Sequence, residues 1–342
     1  MRFIFYPISL IYGSIVYLRN LLFDIGIFKS QSHPIPIICI GNLSVGGSGK
    51  TPHTNYIAKL LSKNYKVGIL SRGYGRKTKN FNYVNIDSKA TEVGDEPLLL
   101  KQNNASCIVA VNNNRNKGVK KMLNDYPELN VILLDDAYQH RWIKAGLNIL
   151  ISPFYKPFYK DALLPLGTLR ESSSNSNRSD IIIISKTPKN TNPTEEKGML
   201  ESMHLKAHQK AYFSAINYNH FKCIESNKNF IPKESYSITL VSGIVKTEPL
   251  VEYLENQGHT VNQIIFKDHH NYNAIDTQKI LAKYNADESV KKLILTTKKD
   301  ATKLKDLLAY FKDSNFYYIP IDITFEKQED FDRQILNYVA KN

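Results

Sequence analysis

From residue 34 onward, short apolar runs rich in β-branched residues alternate with polar stretches long enough to form helices. This alternation is typical of a parallel sheet wrapped by helices. The first six runs are nearly free of polar residues and are predicted strands, at Ile35–Ile40, Lys66–Ser71, Cys107–Val111, Val131–Asp135, Leu147–Ile151 and Ile181–Ser185. Such strands are covered on both faces. The pattern therefore predicts a first domain with a buried parallel sheet.

The second half of the chain repeats the pattern after an interruption. A polar stretch with two prolines, Lys186–Gly198, comes first, and Ala211–Ile224 is predicted to form a small hairpin or bridge. Strand-like runs then return at Ser237–Val241, Val261–Phe266, Leu293–Thr297 and Phe316–Pro320, separated by helix-sized segments such as Glu248–Gln257 and Ala274–Tyr284. This arrangement predicts a second, smaller α/β domain.

The N-terminal segment is apolar and carries no charge from Phe3 to Leu18. Its length falls short of the roughly 20 residues that span a bilayer, so we expect no spanning helix. No small-residue cleavage site follows, so we expect no signal peptide. Its aromatic residues, together with Arg2 and Arg19, are typical of a helix at a lipid headgroup boundary. We predict an interfacial helix over residues 1–30; the alternative is a buried helix packed on the first domain.

Composition excludes several classes of protein. Among the 342 residues, 42% are hydrophobic and 23% charged, which excludes a disordered chain. The net charge of +13 implies an acidic partner, either nucleic acid, an anionic membrane surface or a phosphorylated substrate. We expect no nucleic-acid partner, because basic runs and RNA-binding aromatic motifs are missing from the sequence. The spacing of Cys39, Cys107 and Cys223 suggests neither disulfides nor a zinc site.

A glycine-rich turn joins the first predicted strand to a helix-like segment, and it has the composition of a phosphate-binding loop. It runs Gly41-Asn42-Leu43-Ser44-Val45-Gly46-Gly47-Ser48-Gly49-Lys50-Thr51. In such loops the backbone N–H groups bind phosphates, a lysine such as Lys50 reaches the outer phosphates and a hydroxyl such as that of Thr51 binds Mg²⁺. The strict pattern G-x4-G-K-[ST] requires glycine at position 44, where this chain has Ser44.

Carboxylates that could bind Mg²⁺ follow the apolar run that begins at Val131. Asp135 and Asp136 lie at its end, at the sheet edge where open α/β folds bind ligands. Asp95 and Glu96 precede a predicted helix and are suited to accept a hydroxyl proton and hold metal. An acidic helix start is also commonly structural, so both interpretations stay open.

Two further clusters carry candidate chemistry. The segment Ser71-Arg72-Gly73-Tyr74-Gly75-Arg76 could place guanidinium groups near a phosphate, or form an ordinary turn. The segment Asp268-His269-His270 favours a proton-handling or orienting role over metal binding, with a plain surface loop as the alternative.

These blocks occur in the same order as in a known family. On that ground the chain resembles the tetraacyldisaccharide 4'-kinases of lipid A biosynthesis. Three more blocks carry the resemblance: Leu134-Asp135-Asp136-Ala137-Tyr138-Gln139-His140-Arg141, Leu164-Pro165-Leu166-Gly167-Thr168-Leu169-Arg170-Glu171 and Thr296-Thr297-Lys298-Lys299-Asp300-Ala301. Together they extend from residue 41 to about 304, so the resemblance covers nearly the whole chain.

The resemblance implies an α/β fold of two α/β/α sandwich domains. The first is a P-loop NTPase-like parallel sheet over residues 31–205, and a small β linker over residues 206–235 follows it. A smaller α/β domain with a C-terminal helix occupies residues 236–342. The N-terminal helix is expected to associate with the membrane.

The same resemblance implies ATP and Mg²⁺ as cofactors. The γ-phosphoryl group would pass to the 4'-hydroxyl of an acylated glucosamine disaccharide 1-phosphate, a lipid, giving lipid IVA. The enzyme would act as a peripheral monomer on the anionic surface at the cytoplasmic face of the bacterial inner membrane.

Residue roles follow from the resemblance as well. Asp95 would accept the proton of the sugar hydroxyl and His269 would pair with it across a cleft that closes by a hinge. Lys50 and Arg115 would stabilise the transferring phosphoryl group. The nucleotide would be bound by Val45, Gly46, Gly47, Ser48, Gly49, Lys50 and Thr51. Mg²⁺ would be held by Thr51, Glu96 and either Asp135 or Asp136, and the acceptor would be bound by Arg72, Tyr74, Gln139, His140 and Arg170.

The chain departs from the family pattern at three places. Ser48 stands where threonine is usual, Ala137-Tyr138 replaces Gly-Phe, and Lys298 reverses the charge of a usual glutamate. Two other classes of function are alternatives: a P-loop ATPase or GTPase switch with no small-molecule acceptor, and a membrane adaptor with a degenerate nucleotide site. A guanine-binding Asn-Lys-x-Asp block is missing from the sequence, and the intact Gly49-Lys50-Thr51 argues against the adaptor.

Overall fold

The computed structural model describes residues 5–244, 246–268, 270–312 and 314–342. The chain forms two compact units, Met1–Ile216 with Ile323–Asn342, and Asn217–Asp322. The helices are α1 (Tyr6–Asp24), α2 (Lys50–Leu61), α3 (Ala90–Val93), α4 (Asp95–Asn103), α5 (Arg115–Asp125), α6 (Pro193–Met203), α7 (Glu248–Asn256), α8 (Ala274–Asn285), α9 (Lys298–Leu304) and α10 (Gln328–Lys341).

The strands are β1 (Ile37–Gly41), β2 (Val67–Ser71), β3 (Asn82–Tyr83), β4 (Ile108–Val111), β5 (Val131–Asp135), β6 (Leu147–Pro153), β7 (Ile181–Ser185), β8 (Lys210–Tyr218), β9 (Phe221–Cys223), β10 (Asn229–Phe230), β11 (Ser237–Ser242), β12 (Thr260–Ile265), β13 (Lys292–Thr297), β14 (Phe316–Ile319) and β15 (Ile321–Phe325). Every predicted strand outside the interrupted segment is present within two residues of its expected bounds. The α/β fold is therefore confirmed.

The sheet of the first unit has the order β15-β8-β7-β6-β1-β5-β2-β4-β3 among the described residues. Its central pairs are parallel, with Ile38 opposite Leu133 on one side of β1 and Leu147 on the other. All residues of β1, β2, β5 and β7 are buried, as their apolar sequences predict. Parallel pairing brings the carboxyl ends of β1, β2, β5 and β7 to one edge, which positions the loops that follow them.

The last helix belongs to the first unit, which corrects its predicted place at the end of a second domain over residues 236–342. The side chains of Phe331, Ile335 and Val339 repeat every four residues along α10 and are buried against the first sheet. The Tyr338 hydroxyl bonds both backbone groups of Ile37, at 3.2 Å from the nitrogen and 3.1 Å from the oxygen. The sequence shows an amphipathic helix here but does not identify the sheet that it covers.

The segment predicted as a hairpin and β linker divides between two sheets instead. The strand β8 pairs in parallel with β7, with Ala211 opposite Ile182. The strand β9 pairs antiparallel with β10 and β14. In the second unit the order is β10-β9-β14-β13-β11-β12, and β11 to β14 are parallel. Helix α6 begins within the polar stretch Lys186–Gly198 that separates the two sets of predicted strands.

Helix α1 packs its polar side on the first unit and exposes its apolar side. The inner side is tied down by hydrogen bonds from Ser9 to the Leu163 carbonyl (3.0 Å) and from Tyr12 to the Arg170 carbonyl (2.8 Å). More than half of each of the following side chains is exposed: Tyr6, Ile8, Leu10, Ile11, Ile15, Tyr17 and Leu18. In the part of the chain that the structure describes, no helix, α1 included, is both long and apolar enough to cross a bilayer.

Candidate active site

The predicted phosphate loop lies between the end of β1 at Gly41 and the start of α2 at Lys50. Gly46 and Gly49 have φ angles of 102° and 94°, in the left-handed region that favours glycine. Acidic residues are missing from the first turn of α2, so the positive end of the helix dipole is uncompensated there. Such a helix start attracts anions, and phosphates in particular.

The Leu164–Glu171 block of the sequence pairs with this loop along the chain from Leu43 to Val45. The Val45 N–H donates to the Thr168 carbonyl at 2.8 Å, and the Arg170 N–H donates to the Leu43 carbonyl at 2.7 Å. Gly167 lets this block turn back close to Ala162, because a Cβ there would lie 2.2 Å from the Ala162 carbonyl oxygen. This pairing brings the Arg170 side chain to the phosphate loop.

Four polar side chains form a cluster beneath the loop: Asn42, Lys50, Asp136 and Arg170. The buried Asn42 Oδ1 accepts from Lys50 Nζ at 3.2 Å and from Arg170 Nη2. Asp136 Oδ1 lies 3.7 Å from Lys50 Nζ and 3.1 Å from Arg170 Nη2. Burial acts to raise the pKa of Asp136, but the charges of Lys50 and Arg170 outweigh it and the net shift is downward. Asp136 is therefore ionised at neutral pH.

Asp135 lies deeper, at the end of β5, in a different environment. Its carboxylate accepts hydrogen bonds from Thr54 Oγ1 at 2.9 Å and from Ser71 Oγ at 3.3 Å. Burial, followed by the negative charges of Glu96 and Asp136, raises its pKa to about 7. Three carboxylates thus lie close enough to influence one another, which favours a cation at this edge of the sheet.

The side chains at this edge of the sheet include oxygen donors of the kind that Mg²⁺ prefers. The described residues contain no group of three or more histidine, cysteine, aspartate or glutamate side chains arranged to hold a metal by themselves. Mg²⁺ usually takes one or two carboxylates together with waters and substrate phosphates. Carboxylates beside a phosphate loop and the Thr51 hydroxyl fit that requirement.

Arg115 starts α5 and is almost completely buried at the end of β5. Its Nη1 donates to the Asn112 carbonyl at 2.8 Å, and its Nη2 lies 3.4 Å from the Asp135 carbonyl. Burial lowers its pKa to about 10 although both aspartates act in the opposite direction, so it carries its charge at neutral pH. Arg115 thus lies at the end of β5 beside Asp135, and the role that the family resemblance implies for it stays a prediction.

Asp95 and the segment from Arg72 to Tyr74 are neighbours because two glycines touch. A Cβ at Gly94 would lie 3.1 Å from both the Gly73 Cα and the Tyr74 carbonyl oxygen. Asp95 is buried at the first position of α4, and its Oδ1 accepts from the Glu96 N–H at 3.1 Å. Arg72 and Tyr74 are exposed. A buried carboxylate and two exposed polar side chains therefore lie on adjacent loops.

Gln139 and His140 follow the two aspartates. Gln139 Nε2 donates to the Asn42 carbonyl at 2.8 Å, and the Gln139 carbonyl accepts from Arg19 at 2.7 Å. Burial, then the charges of Arg115, Arg19 and Arg72, lower the pKa of His140 to about 4, so its ring is neutral at pH 7.

Buried polar atoms without a hydrogen-bond partner concentrate here. Among the described residues there are eight such side-chain atoms, and four of them belong to Ser48, Arg115, His140 and Arg170. Buried polar groups are normally paired, so an accumulation of unpaired ones indicates a site built for a polar ligand. Sequence reasoning missed Asn42, which contacts Lys50 and Arg170 through its side chain and Gln139 through its backbone carbonyl. A single asparagine in a glycine-rich turn gives no distinctive signal.

Two of the predicted positions belong to the later part of the sequence, beyond residue 236. His269 lies outside the described residues, so its pairing with Asp95 stays a prediction. In the second unit, Thr297 Oγ1 caps α9 by accepting from the Asp300 N–H at 3.1 Å, and Asp300 Oδ2 accepts from the Gly243 N–H at 3.1 Å. The block with the Lys298 departure therefore has a structural function as a helix cap.

The parallel sheet, the phosphate loop and the carboxylates at its edge define a P-loop nucleotide-binding protein with features suited to phosphoryl transfer. Comparison with known proteins gives the particular family. The family model for tetraacyldisaccharide-1-P 4'-kinase matches residues 1–340. The chain belongs to this family.

Individual relatives agree over the whole length. A tetraacyldisaccharide 4'-kinase of Bacteroides thetaiotaomicron is 38% identical over 98% of this chain and 93% of its own. The corresponding protein of Flavobacterium johnsoniae is 39% identical over 100% of this chain and 98% of its own. A crystal structure of LpxK from Aquifex aeolicus, an "apo" form in complex with ATP, has a TM-score of 0.77 at 29% identity, covering 99% of both chains.

These matches confirm the family expected from the sequence motifs and do not favour a nucleotide switch without an acceptor. They name relatives that are kinases, and one neighbour that binds ATP.

Proposed function

We propose that this chain is an ATP-dependent kinase that transfers the γ-phosphoryl group to the 4'-hydroxyl of a tetraacyldisaccharide 1-phosphate, giving lipid IVA. The observation that carries the proposal is the cluster of Lys50, Asp136 and Arg170 under a phosphate loop, in a chain that matches the kinase family over residues 1–340. The chemistry needs positioned positive charge and ionised carboxylates, and the site contains both.

Binding of ATP follows from the loop between Val45 and Thr51. Its backbone N–H groups and the start of α2 would hold the phosphates, and Lys50 would exchange Asn42 and Asp136 for phosphate oxygens. Arg115, charged although buried, would stabilise negative charge on the transferring group. Because phosphoryl transfer requires little covalent participation by the protein, this preorganised charge would contribute most of the rate enhancement.

Mg²⁺ would be held by Thr51, Glu96 and the two aspartates at the end of β5. When bound, the ion supplies positive charge that neutralises the phosphates and carboxylates. The two aspartates differ in environment, since the charges of Lys50 and Arg170 lower the pKa of Asp136, whereas burial and the neighbouring carboxylates raise the pKa of Asp135. A bound cation would favour the ionised form of both. The hydrogen bonds of Asp135 to Thr54 and Ser71 orient its carboxylate.

The acceptor would bind where the loops of Arg72 and Asp95 meet. Asp95 would accept the proton of the 4'-hydroxyl, since it is a buried carboxylate next to exposed Tyr74. His269 would pair with Asp95, as the family resemblance implies. The side chains proposed to contact the acceptor are Arg72, Tyr74, Gln139, His140 and Arg170.

The lipid would be reached from a membrane surface on which α1 lies. The apolar side of this helix is exposed, while its polar side contacts Arg170 and Gln139 through Tyr12 and Arg19. An exposed apolar helix side on a protein with a net charge of +13 suits an anionic bilayer surface. The enzyme would therefore be a peripheral monomer at the cytoplasmic face of the inner membrane, where ATP is supplied.

The test is mass spectrometry of the lipid after incubation with the purified protein, ATP and Mg²⁺, the acceptor being a detergent-dispersed acylated disaccharide 1-phosphate. We expect the lipid to gain one phosphate, and Lys50→Ala to abolish the gain. Asp95→Ala should also abolish the gain but leave ATP binding largely intact. An unchanged lipid in the presence of bound or hydrolysed ATP would contradict the proposal.

A further inference from the structure

Three consecutive carbonyl groups of the phosphate loop are each held by a side chain from outside the loop. Lys186 Nζ lies 2.7 Å from the Gly47 carbonyl oxygen, and Ser185 Oγ lies 2.7 Å from that of Ser48. His53 Nδ1 lies 2.7 Å from the carbonyl oxygen of Gly49. Each of the three donors therefore fixes the orientation of one peptide group in the loop.

The direction of these bonds determines where the amide groups point. In a trans peptide the C=O of one residue and the N–H of the next lie in one plane and point in opposite directions. Holding the Ser48 and Gly49 carbonyls toward the outside therefore turns the N–H groups of Gly49 and Lys50 toward the opposite, phosphate-binding side. The Ser48 N–H bonds the Gly46 carbonyl within the loop at 2.9 Å.

The donor role of His53 is fixed by its two partners. A carbonyl only accepts, so Nδ1 must carry the proton, and Nε2 then accepts from the Ser214 hydroxyl at 2.8 Å. Burial, with a smaller contribution from the charge of Lys186, lowers the pKa of His53 to about 4 although the Gly49 bond acts against it. The ring is thus neutral at pH 7, which is the form that these hydrogen bonds require.

The side chains that hold the loop are positioned by the ends of two paired strands, β7 and β8. Ser185 is the last residue of β7, and Ser214 is its register partner on β8. Both serines are buried, and Lys186 follows directly with φ of 59°, a left-handed conformation that is uncommon for lysine. The chain leaving β7 thus adopts an unfavourable backbone conformation at the residue whose side chain reaches Gly47.

We propose that Lys186, Ser185 and His53 form a carbonyl brace, a set of positioning residues that preorganises the phosphate loop and so sets the affinity for the phosphates of ATP. This inference rests on the proposed function, since it concerns how the same loop binds the same nucleotide. A brace of this kind lowers the ordering cost of binding and leaves the phosphoryl-transfer step to the groups at Lys50 and Arg115.

The experiment uses the purified chain of 342 residues. It measures the Kd of ATP and the inhibition constant of inorganic tripolyphosphate. Lys186→Met keeps the side-chain stem but removes the donor and its charge, and Ser185→Ala and His53→Phe each remove one donor. We expect each variant to weaken ATP and tripolyphosphate binding in parallel, by about tenfold for Lys186→Met. The kcat at saturating ATP should stay within about threefold of wild type.

Conservative variants should restore binding, because the proposal depends on the donor and not on the residue type. Lys186→Arg keeps a charged donor, and His53→Asn keeps an N–H at the position of Nδ1. Two matched controls lose similar groups without touching the loop. Asn55→Leu removes a buried hydrogen bond to Asn104 (2.8 Å) on the same helix, and Lys189→Met removes a neighbouring exposed charge.

The outcomes separate the brace from the function on which it rests. The brace is wrong if Lys186→Met and His53→Phe bind ATP like wild type while remaining folded, or if the controls weaken binding equally. If His53→Phe does not fold, the half-exposed Lys186 still gives the answer. Failure of wild type itself to bind ATP would overturn the proposed function and the brace together, whereas a wild type that binds ATP with unaffected brace variants overturns the brace alone.

Discussion

The exposed side of α1 allows the membrane proposal to be tested quantitatively. Ile11, Ile15 and Leu18 lie on one side of the helix at spacings of four and three residues and are 63%, 64% and 56% exposed. We consider the triple substitution of these residues by asparagine, which removes apolar surface and changes no charge. None of the three packs in the interior, so the fold should tolerate the change.

The expected magnitude follows from the exposed fraction. Full burial of an aliphatic side chain contributes roughly 1.5–3 kcal/mol, so the exposed three-fifths of each would contribute about 1–2 kcal/mol on entering a membrane interface. Three residues then contribute about 3–5 kcal/mol. With about 1.4 kcal/mol per factor of ten, vesicle binding should weaken on the order of 10²- to 10³-fold.

The assay is co-sedimentation with vesicles that contain anionic lipid, at fixed ionic strength. A matched control variant carries Ile86→Asn, Ile275→Asn and Val290→Asn, three other side chains that are each more than half exposed. We expect the control to bind like wild type. The membrane proposal would be refuted if the α1 variant kept wild-type vesicle binding, or if the control lost as much binding as the α1 variant.

Three further predictions concern the site and the fold. Arg170→Lys should lower kcat/KM by about tenfold, because a lysine differs in length and shape and does not place its nitrogen where Arg170 Nη2 contacts both Asn42 and Asp136. Steady-state kinetics measures the loss, with Lys156→Arg as a control. Asp135→Asn should raise the melting temperature in Mg²⁺-free buffer more at pH 8 than at pH 5. The raised pKa means that the protonated carboxyl favours the folded state at low pH and that this stability is lost progressively as the pH rises from about 4 to about 7; equal melting temperatures of variant and wild type at pH 8 would contradict the buried charge. Phe331→Ala should destabilise the first unit by about 3–5 kcal/mol, seen as faster hydrogen exchange in β1, and protection of β1 at the wild-type level would contradict the placement of α10.

The elements of both sheets were largely predictable because their signal is local. The strands Val131–Asp135 and Ile181–Ser185 match their predicted bounds, since each is an apolar run that ends where a polar side chain must face the sheet edge. The same reasoning failed for β8 and α10. Which sheet a strand or an amphipathic helix joins depends on contacts such as that of Tyr338 with Ile37, 301 residues apart, which leave no local pattern.

The residues of the candidate site likewise fall into predictable and unpredictable ones. Residues whose chemistry is encoded in a motif, such as Lys50 and Asp136, were predicted and are neighbours in the structure. Residues that support them were not, because Asn42 and His53 are ordinary polar residues until the fold gives them partners. One partner of His53 is Gly49, the N-cap of the same helix, which is four residues away. The other is Ser214, which is 161 residues away. Support of this kind becomes visible only once the strands are assembled.

Hydrogen bonds from α1 connect the surface that we propose to bind the membrane with residues of the nucleotide site. Tyr12 bonds the carbonyl of Arg170, and Arg19 bonds the carbonyl of Gln139. Both residues also contact Asn42. The Arg170 side chain donates to Asn42 Oδ1, and the Gln139 side chain donates to the backbone carbonyl of Asn42. The helix that we propose to rest on lipid by its outer side is thus attached, by its inner side, to the residues that hold Lys50 in place. An acceptor entering from the membrane would meet the phosphate loop along this side of the unit, so one helix can both recruit the enzyme to the bilayer and orient its site toward the lipid.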